Sequence, residues 1–266
     1  IISSRIYSLK SDFRSIWTDA GEWNTESIFE VNYTDSPSER TWESPTKVGG
    51  SVYPTLIGIN KYSGPEYDGG GYGFEPVEKS LYDAYDAEDT RRDATILCFA
   101  KFQEANPEAT YTPRYDDTGY FNNKYLGRAD GHSRYTGNAP ELNFRNNYRV
   151  WRYSETLLAA AELIVRTGGP QDEADSYLNQ VRARAFALKV DDAAFASKKK
   201  TATLDAILLE NRFEFALEGH RFWDLVRFGK AEEVLGSRGY TPSKKWLPIP
   251  QSEIDQSQGT LKQTQY

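Results

Sequence analysis

The chain has 266 residues, enough for one large domain or two small ones. Apolar residues make up 38% and charged residues 27%, which excludes an intrinsically disordered composition. A net charge of −7, with only the short basic run Lys198-Lys199-Lys200, excludes the basic footprint of a nucleic-acid binder; one cysteine, Cys98, excludes an internal disulfide framework and a cysteine-based zinc site.

The chain opens on IISSRIYSLKSDF, which reads as the middle of a longer protein, and carries neither a signal peptide nor a methionine. SLKSDFRSIW (8–17) predicts a short helix, and ESIFEVNY (26–33) predicts a strand from its β-branched and aromatic content. From 34 to 75 the chain is punctuated by Gly and Pro, including GGGYGF (69–74), and predicts long loops of the kind that carry function. Pro76 is placed to open a helix over PVEKSLYDAYDAED, with Val77, Leu81 and Tyr85 on one face. Cys98, within ATILCFAKF, is expected to be a buried thiol. A second Tyr-rich irregular stretch runs through YTPRYDDTGYFNNKYLGRADGHSRYTGN.

The second half changes character. YRVWRYSETLLAAAELIVRTGGP predicts a helix with Val150, Tyr153, Leu157, Ala161 and Ile164 on one stripe and a stop at Gly168-Gly169-Pro170. QDEADSYLNQVRARA restarts at once behind an acidic first turn, with Ala174, Tyr177, Leu178, Val181 and Ala185 apolar, so the two helices should form a hairpin. TLDAILLENRFEFALEG predicts a third helix and HRFWDLVRFGKAEEVLG a fourth, separated at Gly219. Paired helices of this length suggest a tetratricopeptide-like solenoid. No segment approaches the ~18 consecutive apolar residues of a membrane-spanning helix.

Glu210, Glu214 and Glu218 recur every four residues and could bind a metal or supply acid–base chemistry. Only two histidines, His132 and His220, are present, and Glu218-Gly219-His220 lacks the Glu-x-x-His spacing of bundle metal sites. Interleaved Arg212, Arg221, Arg227 and Asp224 favour half-buried ion pairs at a structural corner. Nucleophile, phosphate-loop and zinc-protease motifs are absent, so no catalytic residue, metal or cofactor is assigned. The loop aromatics point elsewhere. Trp42, Tyr53, Tyr62, Tyr67 and Tyr72 sit among Gly, Pro, Ser and Asp, and Tyr111, Tyr115, Tyr120 and Tyr135 do so further on. A flat ring stacks on the C–H face of a sugar, and neighbouring polar groups can bond its hydroxyls. The first five are the candidate ligand-binding residues.

NYRVWRYSETLLAAAELIVRTGG, YLNQVRARA, LLENRFEFALEGHRFWDLVRFGKA and KKWLPIPQSEI, in this order, resemble the C-terminal half of SusD/RagB-family proteins, and the resemblance extends over essentially all 266 residues. It implies a mainly α fold: tetratricopeptide-like helix pairs with long irregular loops and a few short strands. It implies one domain over 1–266, with a loop-rich ligand-facing part (1–148), helical hairpins (149–240) and an extended C-terminal tail (241–266), while the N-terminal repeats and the lipid anchor are absent. EFALEGHRFWDLVRFGKA becomes the family's structural corner, with Phe222 and Trp223 packed inside it. The function implied is non-catalytic glycan binding at the outer-membrane surface in partnership with a SusC-type TonB-dependent transporter. A helical scaffold binding protein alone is the alternative.

Overall fold

The computed structural model describes residues 1–34, 40–45, 47, 49–129 and 139–264, so Tyr135 and His132 lie outside the described residues. Two compact units are present, Ile1–Leu217 and Glu218–Tyr266.

In the first unit, β1 (Ser27–Val31) pairs antiparallel with a strand far along the chain, Tyr148–Arg152, with register irregularities between Ser27 and Glu30. Short helices α1 (Tyr53–Ile57), α2 (Lys79–Ala84) and α3 (Arg91–Thr95) follow. β2 (Ile96–Cys98) leads directly into α4 (Phe99–Ala105) and pairs antiparallel with β3 (Tyr120–Asn122). The Tyr148–Arg152 strand, β4, runs straight into α5 (Tyr153–Thr167); α6 (Gln171–Ala185) and α7 (Leu204–Glu214) complete the unit.

The helical pattern of α5 to α7 was readable because the ends are chemically marked. Gly168 closes α5 at φ 69°, a left-handed position that costs glycine nothing, and its N–H returns to the Ile164 carbonyl. Thr203 caps α7 by accepting the Ala206 N–H at 3.1 Å. Leu157 and Ala161 of α5 are buried, as are Ala174, Leu178, Val181 and Ala185 of α6, and the two helices pack extensively against one another.

Several expectations are corrected. The helix expected to include Val150 begins only at Tyr153, because Arg149 and Arg152 of β4 are buried strand residues with polar partners inside. The Pro76-led helix is shorter, starting at Lys79, with Val77 buried ahead of it. Arg14–Trp17 forms one 3-10 turn rather than an α-helix over 8–17. Cys98 is half-buried, not fully enclosed.

The core of this unit is rich in edge-to-face aromatic packing. Phe13, Ile16, Trp17, Ile57, Ala94 and Tyr125 form one cluster. Ile59, Tyr62, Tyr67, Leu97, Phe99, Ala109, Phe121 and Leu126 form another.

The second unit carries α8 (Arg221–Arg227), α9 (Ala231–Leu235) and α10 (Gln251–Gln256). The fourth predicted helix is thus two helices. The 241–266 segment is not simply extended, since it holds a 3-10 turn (Pro242–Lys245) and α10. Phe222 packs edge-on against Trp223 and Tyr240, but Trp223 is 53% exposed, so the corner does not enclose it. Among the described residues no helix is long and apolar enough to cross a membrane.

Candidate functional site

Two polar or aromatic constellations stand out in the first unit. One is the carboxylate cluster that the sequence raised as a catalytic possibility. Glu210 and Glu214 lie one turn apart on α7 and are fully buried, while Glu218 lies beyond the end of the helix. Their partners come from distant elements. Glu214 accepts from Arg91 at 2.9 Å, Arg152 at 2.8 Å and Arg184 at 2.5 Å. Glu210 accepts from Arg91 at 2.7 Å and Arg182 at 2.6 Å. Glu26, beside β1, accepts from Arg152 at 2.6 Å and Arg184 at 2.9 Å, and Asp89 holds Arg91 through both oxygens. Four acids (Glu26, Asp89, Glu210, Glu214) thus face four arginines (Arg91, Arg152, Arg182, Arg184), opposite in charge and equal in number.

Burial alone would raise the Glu214 carboxyl, but Arg184, Arg152 and Arg91 hold it well below the usual carboxylate range. A carboxylate fixed in its charged form by several cations is a poor proton shuttle. Among the described residues no group of His, Cys, Asp and Glu is arranged to hold a metal ion. This cluster joins β1, β4, α3, α6 and α7, and its role is to fasten them.

The other constellation is on the surface. Trp42 is 53% exposed, and its ring lies near-parallel to that of Tyr72, with 21° between planes and 6.4 Å between centroids. Phe74, 52% exposed, meets Tyr72 edge-on at 5.9 Å, and the Arg114 guanidinium lies 5.9 Å from the Phe74 ring. The sequence GYGF accommodates the Tyr72–Phe74 pair because Gly73 between them takes a left-handed turn, φ 65°, that costs glycine little.

Main-chain bonds mount this segment on α1 and the turn after it. Tyr72 N–H donates to Thr55 O at 2.8 Å, Gly73 N–H to Gly58 O at 2.8 Å, and Phe74 N–H to Leu56 O at 2.9 Å. The approach is so close that a Cβ on Gly71 would lie 2.0 Å from the Gly58 carbonyl carbon. The same α1 reaches the turn Pro140–Leu142, where Thr55 Oγ1 donates to Glu141 O at 2.5 Å and Trp42 Nε1 donates to Glu141 Oε1 at 2.7 Å.

At the other end of the segment, Glu75 Oε2 accepts from the Tyr53 hydroxyl at 2.7 Å and from Asn122 Nδ2 at 3.2 Å. Glu75 is exposed as a residue, yet its carboxyl is tucked over these two donors. Burial pushes it above the usual value, while the bonds from Tyr53 and Asn122 pull it back. Burial, then the neighbouring Glu75 charge, drives the Tyr53 hydroxyl strongly upward, so it remains a donor.

The candidate residues are thus divided. Trp42 and Tyr72 share one exposed face, and Tyr53 lies at its margin as a half-buried donor. Tyr62 and Tyr67 are only 7% and 4% exposed, which removes them from any stacking surface. Burial pushes the Tyr62 hydroxyl up to about 12, and it donates to the Pro65 carbonyl; Tyr67 donates to Asn123 Oδ1 at 3.1 Å. Among the later tyrosines, Tyr111 packs against the core and donates to Asp117, whereas Tyr115 is fully in solvent. Phe74, Glu75, Arg114, Asn122 and Glu141 escaped the sequence reading, although the alternation in GYGF could have flagged Phe74.

The arrangement is that of a mainly helical scaffold carrying an aromatic face on its loops. The SusD-family model matches residues 25–244, and the chain belongs to the SusD family. Relatives include SusD-like protein P2 of Formosa agariphila, 25% identical over 92% of this chain and 49% of its own length. SusD-like protein P25 of the same organism is 27% identical over 96% of this chain and 51% of its own. Surface glycan-binding protein A from Bacteroides thetaiotaomicron, solved in complex with laminarihexaose, is 42% identical and superposes with a TM-score of 0.88 over 100% of this chain and 57% of that one. A laminarin-binding SusD-like protein is 33% identical, with a TM-score of 0.82 over 97% of this chain and 54% of that one. The chain therefore spans about half the length of the curated relatives it matches.

Proposed function

We propose that this chain is part of a non-catalytic, cell-surface glycan-binding protein of the outer membrane. It presents oligosaccharide to a SusC-type TonB-dependent transporter, and the Trp42–Tyr72–Phe74 face receives the sugar. The observation that carries the reading is this exposed face in a chain 42% identical to a protein solved with laminarihexaose. The physical support is direct. Exposed rings held by a fixed backbone offer sugar C–H faces an apolar platform without an ordering cost at binding. Glu141, Glu75, Tyr53, Asn122 and Arg114 place donors and acceptors around it. A laminarin-type β-glucan is the first ligand to test.

Affinity electrophoresis of the full chain through gels containing laminarin, and separately other polysaccharides, tests the reading. Retardation by laminarin or another glycan is expected, and Trp42→Ala should remove it. Unchanged mobility in every glycan would overturn it. Incubation with the retained glycan should release no shorter product.

A further inference from the structure

The platform carries an acceptor that the protein itself does not use. Glu75 follows Phe74 directly and holds a left-handed backbone conformation, φ 60°, which is unfavourable for a residue with a side chain. Its carboxylate is oriented from below through one oxygen: Oε2 takes both the Tyr53 hydroxyl and the Asn122 amide. Among the described residues no donor lies on Oε1. A strained, charged residue with one oxygen anchored and the other unused is built to accept a hydrogen bond from outside.

We propose that Glu75 is the specificity-determining residue of the aromatic platform. Its Oε1 accepts a hydroxyl of the sugar beside the stacked ring, and its charge, with that of Glu141, restricts the site to neutral glycans over uronate or sulfated ones. This rests on the glycan-binding reading above. A charge-assisted bond to a hydroxyl fixes which face and register of the sugar sits on the rings, which stacking alone leaves loose. An anionic sugar would meet the carboxylates of Glu75 and Glu141 at the platform, with the Arg114 guanidinium engaged over Phe74. Repulsion of the wrong ligand is as effective a route to selectivity as attraction of the right one.

Titration calorimetry of the full chain with laminarihexaose and with an alginate hexasaccharide separates the possibilities. Glu75→Gln should weaken laminarihexaose binding by about tenfold, the loss of one charge-assisted bond, and should narrow the preference over alginate. Glu75→Asp keeps the charge but withdraws the oxygen; it should lose affinity for laminarihexaose while still rejecting alginate. If both variants bind laminarihexaose as the parent does while Trp42→Ala loses it, the role of Glu75 is overturned and the platform stands. If parent and Trp42→Ala alike bind no neutral glycan, both readings fall. Thermal melting of each variant checks that binding losses are not unfolding.

Discussion

The buried cluster around Glu214 and the exposed face around Trp42 use polar and aromatic residues in opposite ways. In the cluster every carboxylate oxygen accepts from a cation inside the protein, and of the arginines' nitrogens the buried Arg184 Nε is left without a hydrogen-bond partner. On the face, rings remain in solvent and one carboxylate oxygen has no partner among the described residues. Dense charge in a sequence marked the fastening of the scaffold. The capacity to bind lies where satisfaction is incomplete, because a ligand can only take contacts the protein leaves open.

This contrast can be broken most forcefully at Glu214. Glu214→Gln removes the anion from beneath Arg91, Arg152 and Arg184 and should cost about 3–5 kcal/mol, a large part of a typical domain's stability, measured by urea unfolding. Glycan affinity of the fraction that stays folded should be unchanged. Next in size is the response to acid. The folded-state value of Glu214 lies below its ordinary 4.5, so its contribution is fully present above about pH 4.5 and is lost as pH falls toward the lower folded value. Urea midpoints should decline below that pH in the parent and decline less in Glu214→Gln. Trp42→Ala acts on the other region: about 2 kcal/mol of binding, seen as lost retardation in a glycan gel, with little change in melting temperature. The smallest expected effect is Tyr67→Phe, which deletes the bond to Asn123 and should cost about 1 kcal/mol of stability with no effect on glycan binding. A binding defect in Tyr67→Phe would blur the division between core and face.

What the sequence could reveal follows from the range of the forces involved. Helices α5, α6 and α7 are written locally, in apolar spacing and in the ends at Gly168 and Thr203. β4 is not, since Arg152 bonds Glu26 and Glu214, which are 126 and 62 residues away, and no local pattern encodes such pairing. Hence the stripe through Val150 was extended one element too far. For the same reason the carboxylates of α7 read as structural while their buried partners Arg91, Arg152, Arg182 and Arg184 come from elements distant in sequence; nearer by, Arg227 pairs with Asp224 as the local pattern suggests. The loop aromatics were recognisable as a class. Sorting them required knowing that Tyr62 would reach Pro65 and Tyr67 would reach Asn123, closing both into the core, while Trp42 stays half exposed.

The close contact of Gly58 with Gly71 has a consequence for how such a surface can change. The strip from Tyr72 to Phe74 is held to α1 and the turn after it through main-chain hydrogen bonds, so side chains at 72 and 74 can be replaced without removing those bonds. Positions 58 and 71 have no such latitude, as any side chain there collides with backbone. The strip behaves as an interchangeable fitting on a fixed bracket, suited to grafting other side-chain sets and retuning what is held without redesigning what holds it.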